Sequence, residues 1–173
     1  MGQLMIYFVA FVLPITSSAQ VVCPTEGTTD AWKSVKSRSS GTYYLYSTTD
    51  ASRVDCSHVS APTSTDETHK TATITFGGRN GNRLQKQMAT IQVSGDDRLS
   101  VVTFNGEAIG TSKLLFSDYG VCDVVEGPTG HCDLWAHDSA IRTTSFGCCS
   151  TKFQECLKGR TVLYPYQEDC PTE

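Results

Sequence analysis

Eight cysteines constrain this 173-residue chain more than any other feature: Cys23, Cys56, Cys122, Cys132, Cys148, Cys149, Cys156 and Cys170. All of them follow an amino-terminal stretch, Met1 to Ala19, whose apolar run from Leu4 to Ile15 ends in Ser17-Ser18-Ala19. That order is the pattern of a signal peptide with a small-residue cleavage site, and the run is too short for an ordinary membrane span. The expected product is a secreted, extracellular domain covering residues 20–173, long enough for one hydrophobic core. An even cysteine count in such a chain reads as a disulfide framework. Zinc ligation fits poorly, because no Cys-x-x-Cys pair occurs and His131 and His137 lack ligand spacing around Cys132. Neither a metal nor a cofactor is expected.

The formal net charge of −4, without any basic run, excludes nucleic acid and anionic membrane as expected partners. A monomer is expected. No Asn-x-Ser/Thr sequon is present. Nor does an enzyme emerge: there is no Gly-x-Ser-x-Gly, and a framework that uses every cysteine leaves no thiol nucleophile.

From about residue 42 to 140 one pattern recurs, a short β-branched or aromatic run closed by Gly, Asn or Asp. The runs span 43–46, 71–76, 87–93, 99–104, 113–116, 121–125 and 132–136. Turns are expected at Gly77-Gly78-Arg79-Asn80-Gly81, Ser94-Gly95-Asp96-Asp97, Asn105-Gly106 and Gly127-Pro128-Thr129-Gly130. Residues 57–70, rich in Ser, Thr and Pro, read as a polar loop. A short helix is expected after Asp30, with Trp32 and Val35 on one face. A second is expected after a Ser150 cap, running through Phe153 and Leu157 to a stop at Gly159. Seven or eight strands in a meander with a terminal helix outside suggest an all-β, eight-stranded antiparallel barrel, with a β-sandwich as the other candidate. A barrel of this size holds one small ligand.

Two strands then raise a chemical question, because an aspartate directly follows a cysteine in both Cys122-Asp123-Val124-Val125 and Cys132-Asp133-Leu134-Trp135. Side chains alternate across a strand. If Cys122 and Cys132 face an outer helix, then Asp123, Asp133 and Trp135 face the lumen. A buried carboxylate needs a partner. That partner is either structural, such as backbone amides or a nearby Lys or Arg, or the cation of a ligand held by carboxylates and an aromatic face. A third reading has one aspartate facing solvent.

The chain resembles the tick salivary lipocalins over its whole mature length. Asp30-Ala31-Trp32-Lys33, Tyr43-Tyr44-Leu45 and Ser47-Thr48-Thr49-Asp50 leading to Cys56 follow their amino-terminal order. Cys148-Cys149, Phe153, Gly159-Arg160, Tyr164-Pro165-Tyr166 and Asp169-Cys170 are similar to the soft-tick branch in particular. Within the family, biogenic-amine binders carry Cys-Asp-aliphatic, then Glu-Leu-Trp or Glu-Leu-Tyr, then Cys. Cys122-Asp123-Val124, Asp133-Leu134-Trp135 and Cys148 fit that order, with Asp133 standing where the pattern has Glu.

The resemblance implies sequestration of histamine or serotonin, with Asp123 and Asp133 meeting the ammonium beside Trp135. Tyr43 and Leu45 would face inward, Tyr44 and Tyr46 outward. Trp32 is read as core ahead of ligand contact, Glu107 as a hairpin acid near the mouth, and Asp50 as a turn cap as much as a ligand contact. His131 and His137 are read as surface residues. Other soft-tick relatives bind leukotriene or thromboxane lipids, and some bind complement component five. They place a His at the Asp123 position and an Arg on the preceding strand, whereas no Arg occurs between Leu99 and Val121. The family also implies the pairs Cys23 with Cys148, Cys56 with Cys170 and Cys122 with Cys149, leaving Cys132 for Cys156.

Overall fold

The computed structural model describes Cys23 and residues 29–81, 83–103, 106–143 and 146–171. The leader, Met1 to Ala19, and the Phe104-Asn105 corner lie outside the described residues. In chain order the elements are α1 (Ala31–Ser37), β1 (Thr42–Thr48), β2 (His58–Ser60), β3 (Ser64–Asp66), β4 (Thr71–Asn80), β5 (Arg83–Ser94), β6 (Arg98–Thr103), β7 (Ala108–Asp118), β8 (Cys122–Glu126), β9 (Cys132–His137), α2 (Asp138–Ile141) and α3 (Cys148–Leu157). The sheet runs β2-β1-β9-β8-β7-β6-β5-β4-β3, and a β2–β4 pairing closes it. Eight strands therefore make a closed antiparallel barrel, and β3 adds one short strand along β4.

Two local expectations are corrected. Residues 57–70 contain β2 and β3 as well as loop, because β4 offers its edge to both: His58 and Val59 pair with Gly77 and Phe76, and Ser64 to Asp66 pair with Thr71 to Thr73. Gly77 and Gly78 belong to the middle of the long β4–β5 ladder, and the turn follows Asn80. These glycines serve close approach: a Cβ on Gly77 would run into the Gln85 carbonyl, and one on Gly78 would lie 2.5 Å from Val54 Cγ2.

The barrel has a closed end and an open end. At the closed end α1 begins at Asp30, whose Oδ1 accepts from Lys33 N at 2.8 Å as an N-cap. Ala31 donates its N–H to Asp96 O at 2.7 Å, which ties the helix to the β5–β6 turn. Ala31, Trp32 and Val35 join Tyr43, Ile74, Ile91 and Leu99 in one buried cluster inside the barrel. Trp32 is thus core, and its Nε1–H donates to Glu67 Oε2 at 2.8 Å.

The bonds from Trp32 and from Lys36 hold the Glu67 carboxyl below its ordinary range. A folded-state value below the unfolded one stabilises at higher pH, and the contribution is lost as pH falls through the folded value. Trp32 fluorescence should therefore titrate below the usual glutamate range, and Glu67→Gln should abolish that step.

A second cluster lies between the sheet and α3, containing Cys122, Val124, Cys132 and Leu134 from the strands and Cys149, Phe153 and Cys156 from the helix. The helix begins at Cys148 with Gly147 as N-cap, so Ser150 sits inside the first turn and does not cap it. Lys158 and Gly159, both at positive φ, end it. Four disulfides join Cys23 to Cys148, Cys56 to Cys170, Cys122 to Cys149 and Cys132 to Cys156. Two of them fasten α3 to neighbouring strands. Replacing both Cys132 and Cys156 by Ala is expected to remove about 3 kcal/mol of unfolding free energy. Chemical denaturation with the other bridges intact measures it.

Candidate functional site

Alternation along β8 and β9 delivers what the paired Cys-Asp steps imply. Cys122 and Cys132 face α3, so Asp123 and Asp133 turn inward and are both buried. In register, Asp123 lies opposite Trp135 and Val125 opposite Asp133. The two aspartates are therefore diagonal neighbours, about 7–8 Å apart at Cα. Strand direction puts Asp123 at the closed end and Asp133 at the open end.

Each aspartate has an arginine. Arg38, the residue after α1, donates from Nη2 to Asp123 Oδ2 at 2.8 Å, and Ser34 Oγ donates to Asp123 Oδ1 at 3.0 Å. The pair is almost dry, with the Arg38 side chain 7% and the Asp123 side chain 3% exposed. Arg38 also lies over the Tyr43 ring, 5.0 Å from Cζ to centroid. Burial, ahead of the nearby Asp123 charge, raises the Tyr43 hydroxyl pKa above its ordinary value.

At the open end Thr48 Oγ1 donates to Asp133 Oδ1 at 2.6 Å, and Arg53 Nη2 donates to Asp133 Oδ2 at 2.5 Å. His131 Nε2 lies 3.5 Å from Asp133 Oδ2, and its Nδ1 lies 3.8 Å from Asp50 Oδ2. Asp50 caps its turn by accepting from Ser52 N and Ser52 Oγ. Burial works to raise the Asp50 carboxyl pKa, but those bonds and the adjacent His131 and Arg53 outweigh it and leave it lowered.

Between these ends lies a cavity of about 180 Å³. Ile74, Ile91, Leu99, Val125 and Trp135 line its middle; Asp133, Arg53, Pro128 and the exposed Ile109 line its mouth. Asp133 is the carboxylate on that wall among the described residues. Of the residues singled out from the sequence, Asp133 and Trp135 come together here. Asp123 and Tyr43 lie at the closed end without lining the cavity, Trp32 is in the core, Asp50 backs the mouth, and Glu107 is exposed beside the β6–β7 turn.

His131 is a correction to the expected surface residue. It is buried, folded back so that a Cβ on Gly127 would collide with its ring. Arg38, Arg53 and Thr48 were not among the expected site residues. The signal for Arg53 was its place three residues after Asp50, on the turn that follows β1.

An eight-stranded barrel with an internal cavity, a helix closing one end and a helix outside is the lipocalin architecture. Residues 24–172 match the family described as "Tick histamine binding protein", and the chain belongs to that family. The crystal structure of the AM182 serotonin complex is 37% identical, covers 87% of this chain and 97% of its own, and superposes with a TM-score of 0.78. More distant barrels share the fold. The siderocalin Ex-FABP is 12% identical over 76% of this chain and 95% of its own, with a TM-score of 0.55. A bovine odorant binding protein, as a deswapped triple mutant, is 13% identical over 78% and 98%, with a TM-score of 0.51.

Proposed function

We propose that this protein is a secreted scavenger that captures one biogenic amine, histamine or serotonin, inside the barrel. The carrying observation is the cavity wall: among the described residues Asp133 is the carboxylate that lines the space, and Trp135 follows two residues later on the same strand face. An ammonium on Asp133 gains a charge-assisted hydrogen bond, and its aromatic ring packs among Trp135 and the aliphatic wall. Size supports the same class. A space of about 180 Å³ suits a one- or two-ring amine, because a dry cavity of about 150 Å³ takes benzene whereas drug-sized ligands need about 300 Å³ or more.

Family membership and the likeness to the AM182 serotonin complex support the same class of ligand. Secretion is supported by four disulfides and the leader pattern. In this reading Asp123 acts at one remove, holding Arg38 and the closed end in place.

Arg38 and Arg53 on the cavity wall favour a second reading, an acidic lipid mediator whose carboxylate meets a guanidinium. Both guanidinia already face aspartates, which weakens their pull on an anion. Calorimetric titration of the oxidised protein with histamine, serotonin and a leukotriene separates the two. Saturable, one-to-one heat with an amine is expected; heat with the leukotriene alone would transfer the site to the arginines.

A further inference from the structure

Asp133 already holds a cation. Arg53 Nη2 lies 2.5 Å from Asp133 Oδ2, with the aspartate side chain 2% and the arginine side chain 31% exposed. A second carboxylate waits behind the guanidinium: Arg53 Nε is 3.7 Å from Asp50 Oδ2. The turn that carries Arg53 is anchored at both ends by the carboxy-terminal tail. Thr48 and Leu163 exchange backbone hydrogen bonds, and Cys56 is bridged to Cys170 while donating its N–H to Pro165 O. The backbone is therefore pinned, and freedom of movement belongs to the partly exposed side chain.

An ammonium entering past Ile109 and Pro128 meets a carboxylate whose outer oxygen carries a guanidinium. Two cations at one buried carboxylate oxygen repel, which favours the departure of one. We infer that Arg53 is a displaceable counter-ion, neutralising Asp133 in the free protein and swinging to Asp50 when an amine takes its place. This rests on the reading that the amine sits at Asp133. Apparent affinity then equals intrinsic affinity multiplied by the fraction of molecules in which Asp133 is open. Arg53 thus sets the amine affinity, and it selects for ligands whose own charge can replace it. With Arg53 removed, Asp133 keeps the Thr48 hydroxyl at 2.6 Å and His131 at 3.5 Å.

The test compares wild type, Arg53→Gln and Arg53→Lys by calorimetry against serotonin, histamine and 5-hydroxyindole, a neutral ring without the aminoethyl arm. Arg53→Gln should bind amine about tenfold tighter, because the competitor is gone. Arg53→Lys, which keeps the charge, should stay near wild type, and 5-hydroxyindole should bind all three alike. A general loosening of the mouth would change the neutral ring as much as the amine, and would overturn the inference. So would unchanged or weaker amine binding in folded Arg53→Gln. If wild type binds amine through Asp133 and Arg53→Gln does not tighten it, the Arg53 role falls and the Asp133 site stands. If neither protein binds an amine, both fall. Should Arg53→Gln fail to fold, ¹⁵N-arginine NMR of wild type decides, with Arg53→Lys for assignment. The Arg53 Nε–H signal should move with serotonin and stay with 5-hydroxyindole; a signal that stays with both overturns the displacement.

Discussion

Asp133→Asn is expected to weaken amine binding by about 30- to 100-fold, or about 2–3 kcal/mol, since a hydrogen bond to a charged group is worth about that much. The change removes a charge and little else. Asparagine keeps an oxygen for the Thr48 hydroxyl, which donates at 2.6 Å. The released Arg53 can turn to Asp50, whose Oδ2 already lies 3.7 Å from its Nε. Melting temperature should therefore move little while the heat of serotonin binding collapses. Equal amine affinity in the two proteins would remove Asp133 from the site.

The second large effect is on folding. Asp123→Ala leaves the Arg38 guanidinium buried without its counter-ion, and breaking one partner of such a pair costs about 3–5 kcal/mol. Urea unfolding with all four bridges intact should show a loss of that order. The double change Arg38→Met with Asp123→Leu should recover most of it, because an apolar pair of similar volume needs no solvation. The folded double variant should still bind amine, since the Asp123 carboxylate does not line the cavity and no uncompensated guanidinium is left on its wall. Lost amine binding with unaltered stability would instead make Asp123 a direct ligand contact and leave the Arg38 pair energetically idle.

These two aspartates look alike in the sequence: each follows a cysteine, and each falls on a strand that packs under the terminal helix. Their different surroundings come from the direction of travel. β8 starts at the closed end, so its second residue meets α1 and Arg38. β9 starts at the mouth, so its second residue meets the turn after β1 and Arg53. Neither arginine is a sequence neighbour of its aspartate: they lie 85 and 80 residues away in the chain, so no local pattern marks the pairing. His131 was misread for a related reason: a histidine in a Gly-Pro turn reads as exposed until the turn folds back over Asp50 and Asp133.

The sequence by itself determined what repeats or acts locally. Two-residue alternation decided which side of β8 and β9 bears cysteine and which bears carboxylate, turn chemistry separated most strands, and Asp30 started the first helix. Tertiary structure alone decided what those inward carboxylates face. It also turned part of a Ser/Thr-rich segment into β2 and β3, and kept Gly77-Gly78 inside a strand. The reason is physical: strand alternation is set by backbone geometry within a few residues, whereas the partner of a buried charge depends on how the barrel closes, and closure brings together residues with no local sequence relation.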